Sequence, residues 1–169
     1  SLLCIARLAE DDGSMVGGVS KAMLKSGACT AIAVTMRRVM RRVKSRAQQH
    51  QEGAQRVDIT AGEKLMLEQG TKAFAKLAEN KNCRCSFVRP PPVIPDVDAA
   101  DLDQPPLCCI TPILRHVHEP QVVRNCLYSL MLVAKQREVR IAIVQFGLVP
   151  VIVSLIEQRL ANACLLYTS

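Results

Sequence analysis

Two stretches of this sequence superpose without a gap: Lys21-Ala22-Met23-Leu24-Lys25-Ser26-Gly27 and Ile141-Ala142-Ile143-Val144-Gln145-Phe146-Gly147. Each reads as a short helix stopped by glycine, the residue that takes up the left-handed conformation of a helix end at least cost. A glycine there also lets the next segment leave at a sharp angle. The segments that follow are alike as well: Ala28 to Met36 and Leu148 to Ile156, with Leu107 to Leu114 as a third version. Ile110-Thr111-Pro112-Ile113-Leu114 aligns with Ile152-Val153-Ser154-Leu155-Ile156, so Ile110 to Ile152 is a step of 42 residues. The analogous step from Ile32 to Ile110 is 78 residues, and it holds two added stretches. One is a basic segment that continues through Gln48-Gln49-His50-Gln51 to Arg56. The other runs from Cys83 to Pro106 and carries Pro90, Pro91, Pro92, Pro95, Pro105 and Pro106 with Asp96, Asp98, Asp101 and Asp103. Proline at that density cannot continue a helix and the acids favour water, so this stretch is expected to be an insertion loop.

A third kind of segment is a longer apolar helix: Leu2 to Ala9, Leu65 to Ala78 and Val122 to Ala134. Apolar residues recur in each at three- and four-residue steps, the mark of a helix with one buried face. The chain is 49% apolar yet has no Trp, three Phe and two Tyr. Interiors made of small aliphatic side chains suit closely stacked helices and argue against a large aromatic-lined ligand pocket. The expected class is all-α. A helical repeat with a period in the low forties points to a solenoid of HEAT or armadillo type.

The residues favour the second. Arg137-Glu138-Val139-Arg140-Ile141-Ala142-Ile143-Val144-Gln145-Phe146-Gly147-Leu148-Val149-Pro150-Val151-Ile152-Val153-Ser154-Leu155-Ile156 resembles the first two helices of an armadillo repeat. Glu119-Pro120-Gln121-Val122-Val123-Arg124-Asn125-Cys126-Leu127-Tyr128-Ser129-Leu130 resembles the start of the third, with Tyr128 where many members carry Trp. The resemblance implies a right-handed superhelix of two to three repeats with insertion loops. The expected division is a partial repeat over 1–40, a basic insertion over 41–56 and the third helix of a repeat over 57–82. The insertion loop over 83–106, repeat helices over 107–160 and an unstructured or artefactual tail over 161–169 complete it. The tail, Cys164-Leu165-Leu166-Tyr167-Thr168-Ser169, follows no repeat pattern and resembles translated adaptor sequence.

What the resemblance implies for function lies on the third helices, which line a concave groove in armadillo proteins. Members similar to importin alpha hold basic peptides on ladders of Trp and Asn. By alignment the Trp position falls here on Leu3, Lys72 and Tyr128, and the Asn position on Arg7, Lys76 and Leu132, so neither ladder is present. Arg7, Lys72 and Lys76 instead put cations on or near the groove, with Arg124 one helical step from Tyr128. That resembles the basic groove of beta-catenin-like members, which hold extended acidic peptides. The expected role is a protein-interaction scaffold that steers such a segment electrostatically and forks guanidinium groups onto its carboxylates. The plain alternative is that these cations are solvated helix residues.

The net charge of +7 is spread unevenly. Arg37, Arg38, Arg41, Arg42, Lys44 and Arg46 fall within ten residues that contain no acid, a patch able to attract acidic peptide, nucleic acid or an anionic membrane surface. Met36, Val39, Met40 and Val43 interleave with them at helical steps. That gives either a membrane-surface or target-type amphipathic helix, or the buried face of an ordinary helix extended past its usual length. No aromatic residue interleaves to stack on bases.

Chemistry of other kinds has little support. Four of the eight cysteines (Cys4, Cys29, Cys126 and Cys164) sit singly among aliphatic residues, as small buried hydrophobes do. Cys83-Arg84-Cys85 with Cys108-Cys109 could supply four thiolates to zinc, but structural zinc pairs usually carry gaps of two to four residues. His116 and His118 read as surface or capping residues. Gly13-Ser14-Met15-Val16-Gly17-Gly18-Val19-Ser20-Lys21 lacks the Gly-Lys-Ser/Thr order of a phosphate loop, and no strand precedes it. The expectation is a non-enzyme with no cofactor and no small-molecule substrate, in the reducing cytoplasm or nucleus.

Overall fold

A computed structural model describes residues 27–49, 59–89 and 102–167. Helix α1, Ala28–Gln49, starts on Gly27, whose φ of 69° is left-handed. Ile32, Met36, Val39, Met40 and Val43 are all but fully buried and form one continuous stripe along it. The expected border between a repeat ending at residue 40 and a basic insertion starting at 41 is therefore no border in the structure. The apolar stripe keeps its spacing through Val43, and Arg and Lys are good helix formers that do not interrupt it.

Helix α2, Ala61–Glu79, is opened by a capping box. The Glu63 N–H donates to the Thr60 hydroxyl at 3.3 Å and the Thr60 N–H to the Glu63 carboxylate at 2.9 Å, so two orphan donors are satisfied. At the other end Arg84, itself buried, donates to the carbonyls of Ala78 at 2.8 Å and Glu79 at 3.2 Å. A cation on the last carbonyls of a helix both caps them and suits its dipole. Arg84 belongs to a 3-10 segment, Lys81–Phe87, in which Cys83 and Phe87 are also buried. The Phe74 and Phe87 rings meet edge to face with centroids 4.9 Å apart. The stretch expected to be a solvated loop from Cys83 to Pro106 thus begins inside the core, and Pro106 at its other end is buried too. Cys83, Phe87 and Pro106 are apolar enough to be drawn in whatever the charge between them. Residues 90–101, with most of the prolines and three of the four acids, lie outside the described residues, as do Arg7, Leu2 to Ala9, and Lys21 to Ser26.

A second 3-10 segment, Pro106–Cys109, leads into α3, Ile110–His116. Helix α4, Pro120–Val133, has its proline at the first turn, where no N–H is missed. Helix α5, Arg137–Gln145, and helix α6, Leu148–Tyr167, are joined through Gly147 at φ 64° and meet at 73°. Helical backbone continues through Tyr167, so most of the segment expected to be an unstructured tail is helix. Leu160, Ala161, Ala163 and Leu165 are good formers of it.

Among the described residues every regular element is helical; the fold is all-α. α2 packs along α4 more extensively than any other two elements meet. Lys64 reaches Glu119 at 2.6 Å and Asn125 donates to Thr71 at 3.3 Å, contacts that advance in the same sense along both helices, so the two run parallel. α1 runs antiparallel to α2, with Arg46 paired to Glu63 at one end and Met36 against Gly70 further along. α1 also packs on the second 3-10 segment, α3 on α6, and the first 3-10 segment on α5. One apolar core, mostly aliphatic, runs through all of these contacts, from Cys29 to Val151.

Candidate functional site

Lys72 and Tyr128, matched by the sequence alignment, both stand on exposed positions of the two parallel helices α2 and α4. Lys76 is half-buried and its ammonium lies 3.2 Å from Glu79, which offsets part of its charge. Arg124 is exposed one turn before Tyr128. Leu132, at the position aligned with Lys76, is buried, so the second rung does not continue onto α4. Lys72 and Lys76 thus stand on one, and Arg124 and Tyr128 on the other, of two helices that pack side by side, and Arg7 lies outside the described residues.

Arg124 and Tyr128 also border a feature that the sequence reading missed. Between α4 and α6 opens a groove of about 730 Å³, lined chiefly by Val123, Leu127, Met131, Ile152, Leu155 and Ile156. Leu127, Met131 and Ile156 are 36%, 56% and 54% exposed, large values for side chains of this kind. A signal was available. In α4 the residues Val122, Val123, Cys126, Leu127, Tyr128, Leu130, Met131, Leu132 and Val133 are apolar around most of the circumference, more than one buried face requires. No protein-family model, no curated protein and no solved structure matches this chain.

The basic run on α1 divides in two. Arg37 is half-buried and donates to the carbonyls of Gln104 at 2.7 Å and Pro105 at 2.6 Å, fastening the segment that enters the second 3-10 turn. Arg46 pairs with Glu63 at the start of α2. Both are structural ties rather than members of an open patch. Their guanidinium forks reach carbonyl and carboxylate oxygens that lie far off in sequence. Arg38, Arg41, Arg42 and Lys44 are exposed on the outer side of the helix. Met36, Val39, Met40 and Val43 form its buried face, so the stripe is core and not a membrane-facing surface.

Burial dominates the thiols. It pushes Cys29 up to about 12, against a hydrogen bond with Ser86 that works the other way, and pushes Cys126 up to about 12. Cys109 is driven well above the ordinary thiol range by the same cause, only partly relieved by the nearby Arg37. Such thiols stay protonated and poor as nucleophiles. Among the described residues no group of three or more His, Cys, Asp or Glu side chains is disposed to hold a metal ion. Nor is any single described helix long and apolar enough to cross a membrane. Partial burial, then the positive charges of Lys44, Arg115 and His118, keep the His116 imidazole below its usual range, which favours its neutral form.

Proposed function

We propose that this chain forms part of an armadillo-like solenoid and acts as a non-catalytic protein-interaction scaffold that holds an extended acidic segment. The observation that carries the reading is the pairing of like with like. In a stacked helical repeat each element meets its counterpart in the next unit. The parallel pair α2 and α4 then correspond to successive third helices. α1, the second 3-10 segment with α3, and α6 correspond to successive second helices, and the first 3-10 segment and α5 to first helices. The left-handed glycines at 27 and 147 fall at the same junction of their units. Under this reading Lys72, Lys76 and Arg124 offer an acidic segment its charge-assisted contacts, and Tyr128 offers a ring and a hydroxyl. Six described cysteines, all free thiols, sit comfortably in a reducing compartment such as the cytoplasm or nucleus.

An array of acidic, neutral and basic extended peptides, washed at low and at high salt, tests it. Acidic peptides should be retained at low salt and released at high salt. Lys72→Ala with Lys76→Ala should weaken retention about tenfold, the equivalent of roughly 1.4 kcal/mol. Retention of basic peptides, or unchanged binding by the double variant, would sink the assignment. The rival reading, contact with an anionic membrane or nucleic acid through residues 37–46, has Arg37 and Arg46 engaged in internal ties. Its exposed cations are Arg38, Arg41, Arg42 and Lys44.

A further inference from the structure

We infer that the recess between α3 and α6 is a binding site for a carboxylate carried on one apolar body the size of an amino-acid residue. The inference rests on this recess alone and uses neither the repeat reading nor the acidic-segment reading. α3 and α6 pack on each other, and between them lies a recess of about 240 Å³. Its apolar lining is Leu114 of α3 with Pro150, Val151 and Leu155 of α6. Its polar lining is Arg115, Ser154 and Gln158. Pro150, Ser154 and Gln158 follow one another at four-residue steps and so form one row along α6. Leu114 and Val151 are buried while Arg115, Ser154 and Gln158 are exposed, which gives the recess an apolar floor and a polar rim.

The three rim groups are uncommitted. Other guanidinium groups of the chain are taken up by the fold: Arg37 by the carbonyls of Gln104 and Pro105, Arg84 by those of Ala78 and Glu79, and Arg140 by those of Ala134 and Lys135. Among the described residues nothing accepts from the Arg115 guanidinium, and neither the Ser154 hydroxyl nor the Gln158 amide has a hydrogen-bond partner. No described carboxylate lines the recess. The charges that weigh on the adjoining His116 imidazole, those of Lys44, Arg115 and His118, are all positive. The potential at this end of α3 therefore favours an anion. Size and charge narrow the choice. Pockets for drug-sized molecules run from about 300 to 1,000 Å³, so this smaller one takes something nearer a single amino-acid residue. A planar guanidinium meets a carboxylate in two parallel hydrogen bonds, and one lining cation balances one negative charge rather than the two of a phosphate monoester. Ser154 and Gln158 supply further donors, and the apolar body covers the floor. A small free acid and the last residue of a polypeptide both present this chemistry.

Amide NMR titrations of the full chain test the site. N-acetyl-leucine should saturate it, with shifts centred on Arg115 and on residues 150–158. N-acetyl-leucinamide keeps the body without the charge, and acetate keeps the charge without the body; each should bind at least tenfold more weakly. Arg115→Gln should weaken N-acetyl-leucine at least tenfold and Gln158→Leu about threefold, with the circular dichroism spectrum unchanged. If Arg115→Gln loses its helical spectrum, Ser154→Glu serves as the second variant, since an acid on the rim should also cost at least tenfold. Lys72→Ala with Lys76→Ala should leave binding unchanged, which separates this site from the acidic-segment reading. A short peptide ending in leucine distinguishes the sources: binding at least as tight as that of N-acetyl-leucine marks a chain terminus, and weaker binding marks a small free acid. Equal affinity for the acid and its amide overturns the proposal. So does tighter binding of phenyl phosphate than of phenylacetate, or no saturation by a folded chain.

Discussion

Gly147 has no heavy atom near enough to obstruct an added methyl group, so substituting it isolates the cost of backbone conformation. At φ 64° an alanine would carry the left-handed penalty of about 1–2 kcal/mol. Gly147→Ala should lower stability to denaturant by about that much. A loss near zero would mean that the junction between α5 and α6 relaxes freely. Glu63 offers a test with pH. Burial alone would raise its carboxyl, but the Thr60 N–H, the Arg46 guanidinium and the Thr60 hydroxyl together outweigh that and hold it below the ordinary range. A depressed carboxyl contributes stability above its unfolded value, about 4.3, and loses it as pH falls through the folded one. The wild type should therefore melt above Glu63→Gln at pH 7 and lose that advantage as pH falls below the ordinary carboxylate range; a gap that is constant with pH would refute the ionic contribution. Residues such as Gly147 were legible in the sequence because their constraint is local: a repeated motif ends there. Arg37, Arg46 and Arg84 were not. Each is one cation among many, and what distinguishes it is an acceptor brought near only by folding.

The close approach of α1 and α2 depends on Gly70, where a Cβ would stand 2.9 Å from the Cγ and Sδ of buried Met36. In an exposed helix, exchanging glycine for alanine would help by up to about 1 kcal/mol. Here the methyl group must displace Met36, and a larger side chain must part the helices. Gly70→Leu should destabilise by about 1–3 kcal/mol, the range for overfilled cores, and Met36→Ala in the same chain should recover part of the loss. No rescue would mean that the two sites do not share a boundary. Element types were easy to read because the apolar steps of three and four are local facts. Element ends were harder. The charge change near residue 41 suggested a border that the stripe from Met36 to Val43 denies. The proline and acid content of 83–106 hid the fact that Cys83, Phe87 and Pro106 serve the core. Composition describes a segment on average, whereas burial is decided side chain by side chain.

For the molecule as a whole, the alignment of segments suggested which elements correspond, but not which would touch. The structure packs α2 along α4 and leaves α4 exposed at Leu127, Tyr128 and Met131. That face lay beyond the sequence reading because an apolar residue looks the same whether or not something lies over it. The parallel course of α2 and α4 has a consequence for direction. Both helices begin at the same edge of the layer, and a carboxylate sits at each beginning: Glu63 held by Arg46, and Glu119 held by Lys64. A parallel pair ordered in this way has two edges that are chemically different. Anything laid across the pair meets its two helices in one fixed order. Reversing the polarity of a bound segment would present every side chain to the wrong neighbour.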